Sequence, residues 1–353
     1  MSAAPKKIHG KIGFIICLLL LSFKLIAMDH RGFNRTINHK PPAKQISQYI
    51  KIYEKWRGEI NPFIPTPYSV VTDKVTITSD NRVIFDAVYN TEDLGLRVIP
   101  GNRKNLLKHL IVVGDSNTFG VGCADNETLP YYLSLKFPNA TTYNFAQAGT
   151  GPHSTLRFLE IFKVSDFASQ KEGAMVMDFH LFFLQRIIGS KSFLAFGEST
   201  PQYTLDNNDI PVYRGPFSES IQAKFYKGLD KIPYSHEFFP DLPRIGSRHI
   251  DLTSRVILAI KNKYLQQTSK TNKFFVFINP ERKATANLTS MILEDTETVK
   301  AVAKKLKELG VDVITFEEKE VLDLPHFDVE GHMMPVAHKN YAQMIYDKLK
   351  DKI

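Results

Sequence analysis

The feature that most constrains the fold is a regular alternation of apolar strands and amphipathic helices from residue 106 onward. Short apolar runs predict strands at residues 109–113, 141–146, 173–180, 273–278 and 311–316. Helical periodicity predicts helices at residues 127–137, 154–167, 251–267, 295–309 and 336–350. Such alternation produces a parallel sheet covered by helices on both faces. We therefore predict an α/β fold over residues 106–353, a flavodoxin-like three-layer α/β/α sandwich with a central parallel sheet.

Two segments interrupt or precede this alternation. Residues 189–243 are rich in proline, aromatic residues and Asp/Asn, which favours an irregular insertion in the main domain. In residues 61–105, β-branched side chains alternate with polar ones, which predicts a small N-terminal extension of antiparallel strands.

The N-terminal region is predicted to lead the chain out of the cytoplasm. Residues 12–23 carry no charge and follow Lys6, Lys7 and Lys11, so residues 1–28 are typical of a signal peptide or a signal anchor forming a transmembrane helix. Leu25 suits a cleavage site after Ala27 poorly, which favours a retained anchor. Residues 29–60 are interpreted as a polar tether and a short helix. The expected location is exported, anchored in the inner membrane and facing the periplasm or the outside, or secreted after cleavage.

Composition and charge argue against several classes of function. The formal charge of +8 comes from scattered lysines, without a concentrated basic stripe or a stacking motif, so we expect no nucleic-acid partner. Only Cys17 and Cys123 are present, which excludes an intramolecular disulfide framework. There is no glycine-rich dinucleotide or phosphate motif, and no cofactor is expected. His326, His332 and His338 recur every six residues, a spacing that does not place metal ligands on one helical face, so no metal is expected.

Ser116 is the candidate nucleophile. It lies in GDSNTFG at residues 114–120, directly after an apolar run, and is therefore placed at the carboxyl end of a strand. A serine hydroxyl needs a base and nearby donors for the oxyanion, and Gly114 permits the sharp turn that would aim the Ser116 N–H at that charge. The alternative is an ordinary strand-to-helix turn in which Asp115 or Ser116 caps the helix.

Several blocks in order resemble the GDSL/SGNH hydrolase superfamily. The first block is similar to residues 114–120, the second to YNFAQAGTGP at residues 143–152, and the last to EGHMMPVAHKNYA at residues 330–342. Residues 89–97 are similar to an element that precedes the first block in a subset of exported bacterial members. The resemblance covers roughly residues 85 to 350, and ordered blocks are more specific than any one motif.

The resemblance implies roles for particular residues. Ser116 matches the nucleophile and His332 the general base, while the N–H groups of Ser116 and Gly149 match oxyanion-hole donors. Glu330 stands where relatives carry Asp, and Asp328 offers a second carboxylate two residues earlier. A carboxylate is needed to orient the imidazole, and either residue suits this purpose, with Glu330 as the first choice.

The third block departs from the superfamily pattern. Relatives carry an Asn, or in some subfamilies a His, whose side chain donates to the oxyanion, whereas this chain reads DFHLFFLQR at residues 178–186. His180 lies at the predicted strand end and is the candidate donor, and the alternative is a histidine that belongs to the core.

The resemblance implies a serine esterase that acts on a small-molecule or carbohydrate ester. Together with export, it implies acetyl groups on cell-surface carbohydrate as the first substrate class. A lipid or thioester hydrolase is the second hypothesis. The third is a catalytically weak glycan-binding or acetyl-transfer accessory protein, which the missing third-block Asn motivates.

Overall fold

A five-stranded parallel sheet forms the centre of the protein in the computed structural model. The structure describes residues 33–40, 67–232, 242–279, 296–316, 320, 324–328 and 330–353. In spatial order the central strands are β5 (Ala140–Asn144), β4 (Lys108–Val113), β6 (Glu172–His180), β9 (Lys273–Asn279) and β10 (Asp312–Thr315). This order is that of a flavodoxin-like doubly wound sheet, which confirms the predicted fold class.

Helices cover both faces of this sheet because side chains along each strand alternate in direction. On one face, strand residues such as Ile111 and Met177 pack with α3 (Pro152–Ile161), α7 (Ser247–Gln267) and α8 (Thr296–Glu308). On the other face, residues such as Val112 and Val176 pack with α2 (Leu129–Lys136) and α9 (Pro335–Leu349). The two apolar layers make the three-layer sandwich.

An antiparallel sheet of three strands lies beside the sandwich: β1 (Phe33–Lys40), β2 (Val70–Ile77) and β3 (Val83–Asn90). Its apolar face joins a cluster with residues that follow β4, and Phe33, Val75 and Phe85 contact the cluster from the sheet. β2 and β3 agree with the predicted β extension. The predicted tether at residues 29–60 is wrong at Phe33–Lys40, because Phe33 and Ile37 alternate onto the buried face and the backbone pairs with β2.

The predicted leader at residues 1–28 and the short helix expected before residue 60 lie outside the described residues. Within the part of the chain that the structure describes, no helix has the length and apolar character needed to span a membrane.

The predicted irregular insertion is ordered in its described part, so the expectation of irregular structure is wrong there. After α4 (Phe183–Ile188) come α5 (Lys191–Gly197), a hairpin of β7 (Pro201–Leu205) and β8 (Pro211–Pro216), and α6 (Ile221–Leu229). α5, α6 and the turn after β8 share a small core that includes Phe193, Phe217 and Tyr226, whereas Tyr203 of the hairpin packs in the main core. Pro201, Pro211 and Pro216 lie at strand ends, where a missing N–H is tolerated.

Candidate active site

Ser116 begins the short helix α1 (Ser116–Phe119) just beyond β4. Asp115 is the N-cap, and its Oδ1 accepts from the Asn117 N–H at 3.0 Å. Gly114 is required here, because a Cβ at this position would lie 1.9 Å from Thr118 Oγ1. The N–H groups of a first helical turn have no intrahelical acceptor, so the turn leaves the Ser116 N–H without one. Both sequence interpretations therefore hold together: Asp115 caps the helix, and Ser116 lies at a strand end.

The Ser116 hydroxyl is nearly buried and is directed toward its neighbour. Its Oγ donates to Asp115 Oδ2 at a long 3.3 Å, and the same carboxylate oxygen lies 3.3 Å from Arg186 Nη1. No hydrogen bond joins Ser116 to His332 among the residues that the structure describes.

His332 is paired closely with Glu330. Its Nδ1 lies 2.6 and 2.7 Å from the two carboxylate oxygens, and its backbone N–H donates to Glu330 Oε2 at 3.1 Å. Burial alone would raise the pKa of Glu330, but the charge and hydrogen bonds of His332 and the charge of Arg35 lower it to about 2. Glu330 is thus held as an anion that fixes the direction of the imidazole ring.

Asp328 does not take part in this pair. Its side chain is 73% exposed, and it forms an ion pair at 3.4 Å with Arg82 of the turn between β2 and β3. Of the two carboxylates that the sequence left open, the structure therefore places Glu330 and not Asp328 on His332.

The two segments that carry Ser116 and His332 are in contact although they are far apart in sequence. The Met333 N–H donates to Asn117 Oδ1 at 3.3 Å, a hydrogen bond between residues 216 positions apart. The Cys123 thiol also donates to the Met333 carbonyl at 3.5 Å. The residue after His332 is therefore fixed to the residue after Ser116.

Gly149 lies in the loop that follows β5, next to the Ser116 turn. The Gln147 N–H donates to the Gly114 carbonyl at 3.3 Å, and Gly149 adopts a φ of +72° that favours glycine. Arg186 donates to the Thr150 carbonyl while pairing with Asp115. The loops that carry the two predicted oxyanion donors are therefore joined by a backbone hydrogen bond and by the Arg186 side chain.

His180 ends β6 and belongs to a buried network around Asp178. The Asp178 carboxylate lies 3.1 Å from His180 Nε2 and accepts from Thr118 Oγ1 at 2.9 Å and from the Tyr341 hydroxyl at 2.7 Å. Burial opposes ionisation, but His180 and these donors lower the pKa of Asp178. An imidazole whose Nε2–H serves a carboxylate presents an acceptor at Nδ1 when neutral, which favours the core role over the donor role.

Three arginines and an asparagine that support the site were missed by sequence reasoning. Arg97 is fully buried and donates to the carbonyls of Phe119 and Gly120 at 2.8 and 2.7 Å, so it closes the end of α1. Arg186 and Asn117 join the loops as described, and Arg35 reaches Glu330. Asn117, Arg97 and Arg186 lie in the segments compared with the superfamily, at residues 114–120, 89–97 and 178–186, whereas Arg35 lies outside the resemblance. No group of three or more potential metal ligands occurs in the described part of the chain.

Comparison with known proteins gives structural matches only. No known family model matches the chain, and no curated protein matches it in sequence. It is similar to a lipolytic protein of the G-D-S-L family from Veillonella parvula, with 10% identity and a TM-score of 0.39 over 70% of this chain and 100% of that chain.

Two further solved structures are similar to this chain. A protein described as a putative lipolytic member of the G-D-S-L family, from Desulfitobacterium hafniense, has 11% identity and a TM-score of 0.37, covering 69% of this chain and 99% of that one. A carbohydrate acetylesterase from Sinorhizobium meliloti has 9% identity and a TM-score of 0.38, covering 69% of this chain and 100% of that one.

Proposed function

We propose that the protein is a serine-dependent ester hydrolase with Ser116 as nucleophile, His332 as general base and Glu330 as the carboxylate that orients His332. One observation carries the proposal. The close Glu330–His332 pair lies on a loop whose next residue, Met333, is hydrogen-bonded to the residue that follows Ser116. A base held by a carboxylate beside a serine at a strand end is the arrangement that acyl transfer requires.

The reaction follows from these groups. Ser116 Oγ attacks the ester carbonyl carbon while His332 accepts the hydroxyl proton. The tetrahedral intermediate expels the alcohol, which takes that proton from His332, and an acyl-serine remains. Water then attacks the acyl group with His332 again as base, and the carboxylic acid and free Ser116 are released.

The N–H groups of Ser116 and Gly149 are proposed to stabilise the oxyanion in both steps. Their loops meet at Gly114, and the positive φ of Gly149 turns its backbone where a side chain would be strained. His180 stays the candidate third donor from the sequence, but its Nε2 lies 3.1 Å from Asp178, which favours a role in that buried network.

Activation requires the Ser116 hydroxyl to leave Asp115. The 3.3 Å hydrogen bond to Asp115 is at the weak end of the range, and rotation about the Cα–Cβ bond moves Oγ between staggered positions. Catalytic hydrogen bonds often form fully only with substrate present. Substrate binding is therefore proposed to turn Ser116 toward His332.

The proposed substrates are acetyl esters of cell-surface carbohydrate, hydrolysed outside the cytoplasm by an enzyme that the N-terminal segment exports and anchors. This finer assignment is supported by the predicted leader and by the superfamily resemblance. Long acyl esters and thioesters are the competing substrates. Initial rates on a panel of acetylated saccharides, short and long acyl esters and thioesters separate them, and a preference for long chains would replace the carbohydrate assignment.

Fluorophosphonate labelling tests the nucleophile. The wild-type protein should be labelled at Ser116, as read by peptide mapping, while Ser116→Ala should not be labelled and His332→Gln should be labelled far more slowly. Ser134→Ala is the matched control, because Ser134 lies on α2 and its hydroxyl donates to the Tyr131 carbonyl. A wild-type protein that resists the probe would favour the non-catalytic accessory role.

A further inference from the structure

We infer that Arg35, on strand β1 of the N-terminal sheet, is a positioning residue that holds the Glu330 carboxylate in place for His332. The inference rests on the proposed function and extends it to a part of the chain outside the sandwich. Arg35 Nη1 lies 3.4 Å from Glu330 Oε1, across 295 positions of sequence. That oxygen is also the one 2.6 Å from His332 Nδ1.

Arg35 is itself held rigidly by two strands of the same sheet. Its Nε and Nη2 donate to the two oxygens of Asp73 at 2.9 and 2.6 Å, a bidentate pair that fixes the guanidinium plane. Asp73 is buried and also accepts from the Tyr89 hydroxyl at 2.7 Å. The Tyr89 hydroxyl in turn accepts from the Gly122 N–H at 2.8 Å, close to the Ser116 turn. The network thus runs from His332 through the sheet and back to the nucleophile segment.

The loop that carries His332 contacts this sheet at two further points, of which the second is an exposed ion pair that contributes little to stability. The Phe327 ring packs on Phe85 of β3 with centroids 5.2 Å apart, and Asp328 pairs with Arg82. Among the described residues of the N-terminal sheet, Arg35 is the one whose side chain reaches the Glu330 carboxylate that pairs with His332. The sheet therefore supplies both a platform for the loop and one specific cation for its chemistry.

Arg35 adds its charge to that of His332 in keeping this buried carboxylate ionised. The Glu330 side chain is only 2% exposed, and burial favours its neutral form, which orients an imidazole poorly. The charged or titratable groups that act on it are His332 from its own loop, Arg35 with Asp73 behind that arginine, and the Cys123 thiol. Arg35 is the permanent positive charge in this set that contacts Glu330.

The test compares Arg35→Ala with Arg82→Ala, a matched loss of an arginine from the same sheet that contacts Asp328 at the same 3.4 Å. Misplacing catalytic groups by about 1 Å can cost on the order of 100-fold, so kcat of Arg35→Ala should fall by about 10- to 100-fold with little change in KM. The acid limb of its pH profile should move to higher pH. Arg82→Ala should match the wild type in kcat and in pH profile.

A second readout does not need turnover. The proton of His332 Nδ1, identified by its loss in His332→Gln, should give a downfield resonance that shifts or exchanges away in Arg35→Ala and persists in Arg82→Ala. An unchanged resonance in a folded Arg35→Ala protein would overturn the inference. An inactive, unlabelled wild type would instead sink the proposed function, while the resonance would still decide the role of Arg35.

Arg35→Lys keeps the inference testable if Arg35→Ala does not fold. A lysine retains the charge but cannot bind both Asp73 oxygens and reach Glu330 with a planar fork. The resonance and kcat of Arg35→Lys should lie between those of wild type and Arg35→Ala, relative to an Arg82→Lys control. Wild-type values in Arg35→Lys, with the Asp73→Asn variant also unaltered, would show that the arginine does not position Glu330.

Discussion

At the residue scale, the proposed chemistry depends on one carboxylate that stays charged although it is almost fully buried. Glu330 gains this state from His332, from a backbone N–H and from Arg35, which together lower its pKa to about 2 against the effect of burial. Asp328, two residues earlier, is exposed and paired elsewhere. Two carboxylates of one loop thus have different environments, and only one environment suits catalysis.

Glu330→Gln should reduce kcat by about 100- to 10,000-fold, by analogy with loss of the triad carboxylate in serine proteases. An amide accepts from His332 Nδ1–H less strongly and also permits the wrong tautomer. The measurement is kcat on a short acyl ester, with labelling by fluorophosphonate as a second rate. Asp328→Asn is the control on the same loop and should retain nearly full activity. Equal losses in the two variants would show that loop integrity, not the Glu330 charge, was being measured.

The sequence identified the site residues that belong to a recognisable motif at the end of a strand or before the last helix. Ser116 and Gly149 follow apolar runs that became β4 and β5, so their location at one sheet edge was predictable. The choice between Glu330 and Asp328 was not, because both lie within two residues of each other and only the folding of the loop separates them. Arg35 was unpredictable for a stronger reason, since its partner lies 295 positions away.

At the element scale, the turn from β4 into α1 has almost no freedom to vary. Thr118 of α1 fills the space beside Gly114 and donates to Asp178 at the end of β6. Arg97 closes the other end of α1 by donating to the carbonyls of Phe119, Gly120 and Cys123 and by pairing with Asp125. The helix is short, so these contacts rather than helix propensity determine where Ser116 points.

Gly114→Ala should therefore be costly. The added methyl would meet the Thr118 side chain at 1.9 Å and displace it from Asp178, so we expect a loss of about 1–3 kcal/mol in the free energy of unfolding. The value of kcat should also fall, because Ser116 lies in the same short helix as Thr118 and is displaced with it. Denaturant unfolding and kcat are the measurements.

Gly228→Ala is the control for this change, because Gly228 lies in α6 and a Cβ there meets nothing within 4 Å. It should leave activity unchanged and raise stability by up to about 1 kcal/mol through helix propensity. A Gly114→Ala protein as stable and active as Gly228→Ala would contradict the account of the turn.

Element prediction succeeded where periodicity was strong and failed where pairing was remote. The central strands and the helices around them follow apolar runs and helical spacing. β1 was interpreted as tether, because a strand of Asn, Arg, Thr and His shows little alternation until β2 pairs with it. In the insertion, the proline content favoured irregular structure, whereas Pro201, Pro211 and Pro216 lie at the ends of the two hairpin strands.

At the scale of the whole molecule, the site is shared by two sheets. The sandwich presents Ser116 and Gly149 at the carboxyl ends of its strands, and the N-terminal sheet holds the loop that carries Glu330 and His332. The charge of Glu330, where the N-terminal sheet meets the sandwich, therefore links activity to the stability of the folded protein. The Glu330 carboxylate is ionised in the folded protein at pH values where it would be protonated in the unfolded chain.

This linkage predicts an acid-sensitive stability. The folded pKa of Glu330 is about 2 against an ordinary 4.5, so its contribution is fully present above pH 4.5 and is lost as the pH falls toward 2. The full contribution is about 3 kcal/mol, of which about 2 kcal/mol should disappear between pH 6 and pH 3. Urea unfolding across this range should show the stability difference between wild type and Glu330→Gln shrinking by that amount. Glu308→Gln removes an exposed carboxylate from α8, and its difference from the wild type in the free energy of unfolding should stay constant from pH 6 to pH 3. If the difference between Glu330→Gln and the wild type also stays constant over this pH range, Glu330 is not held as a buried anion, and the orientation proposed for His332 loses its physical basis.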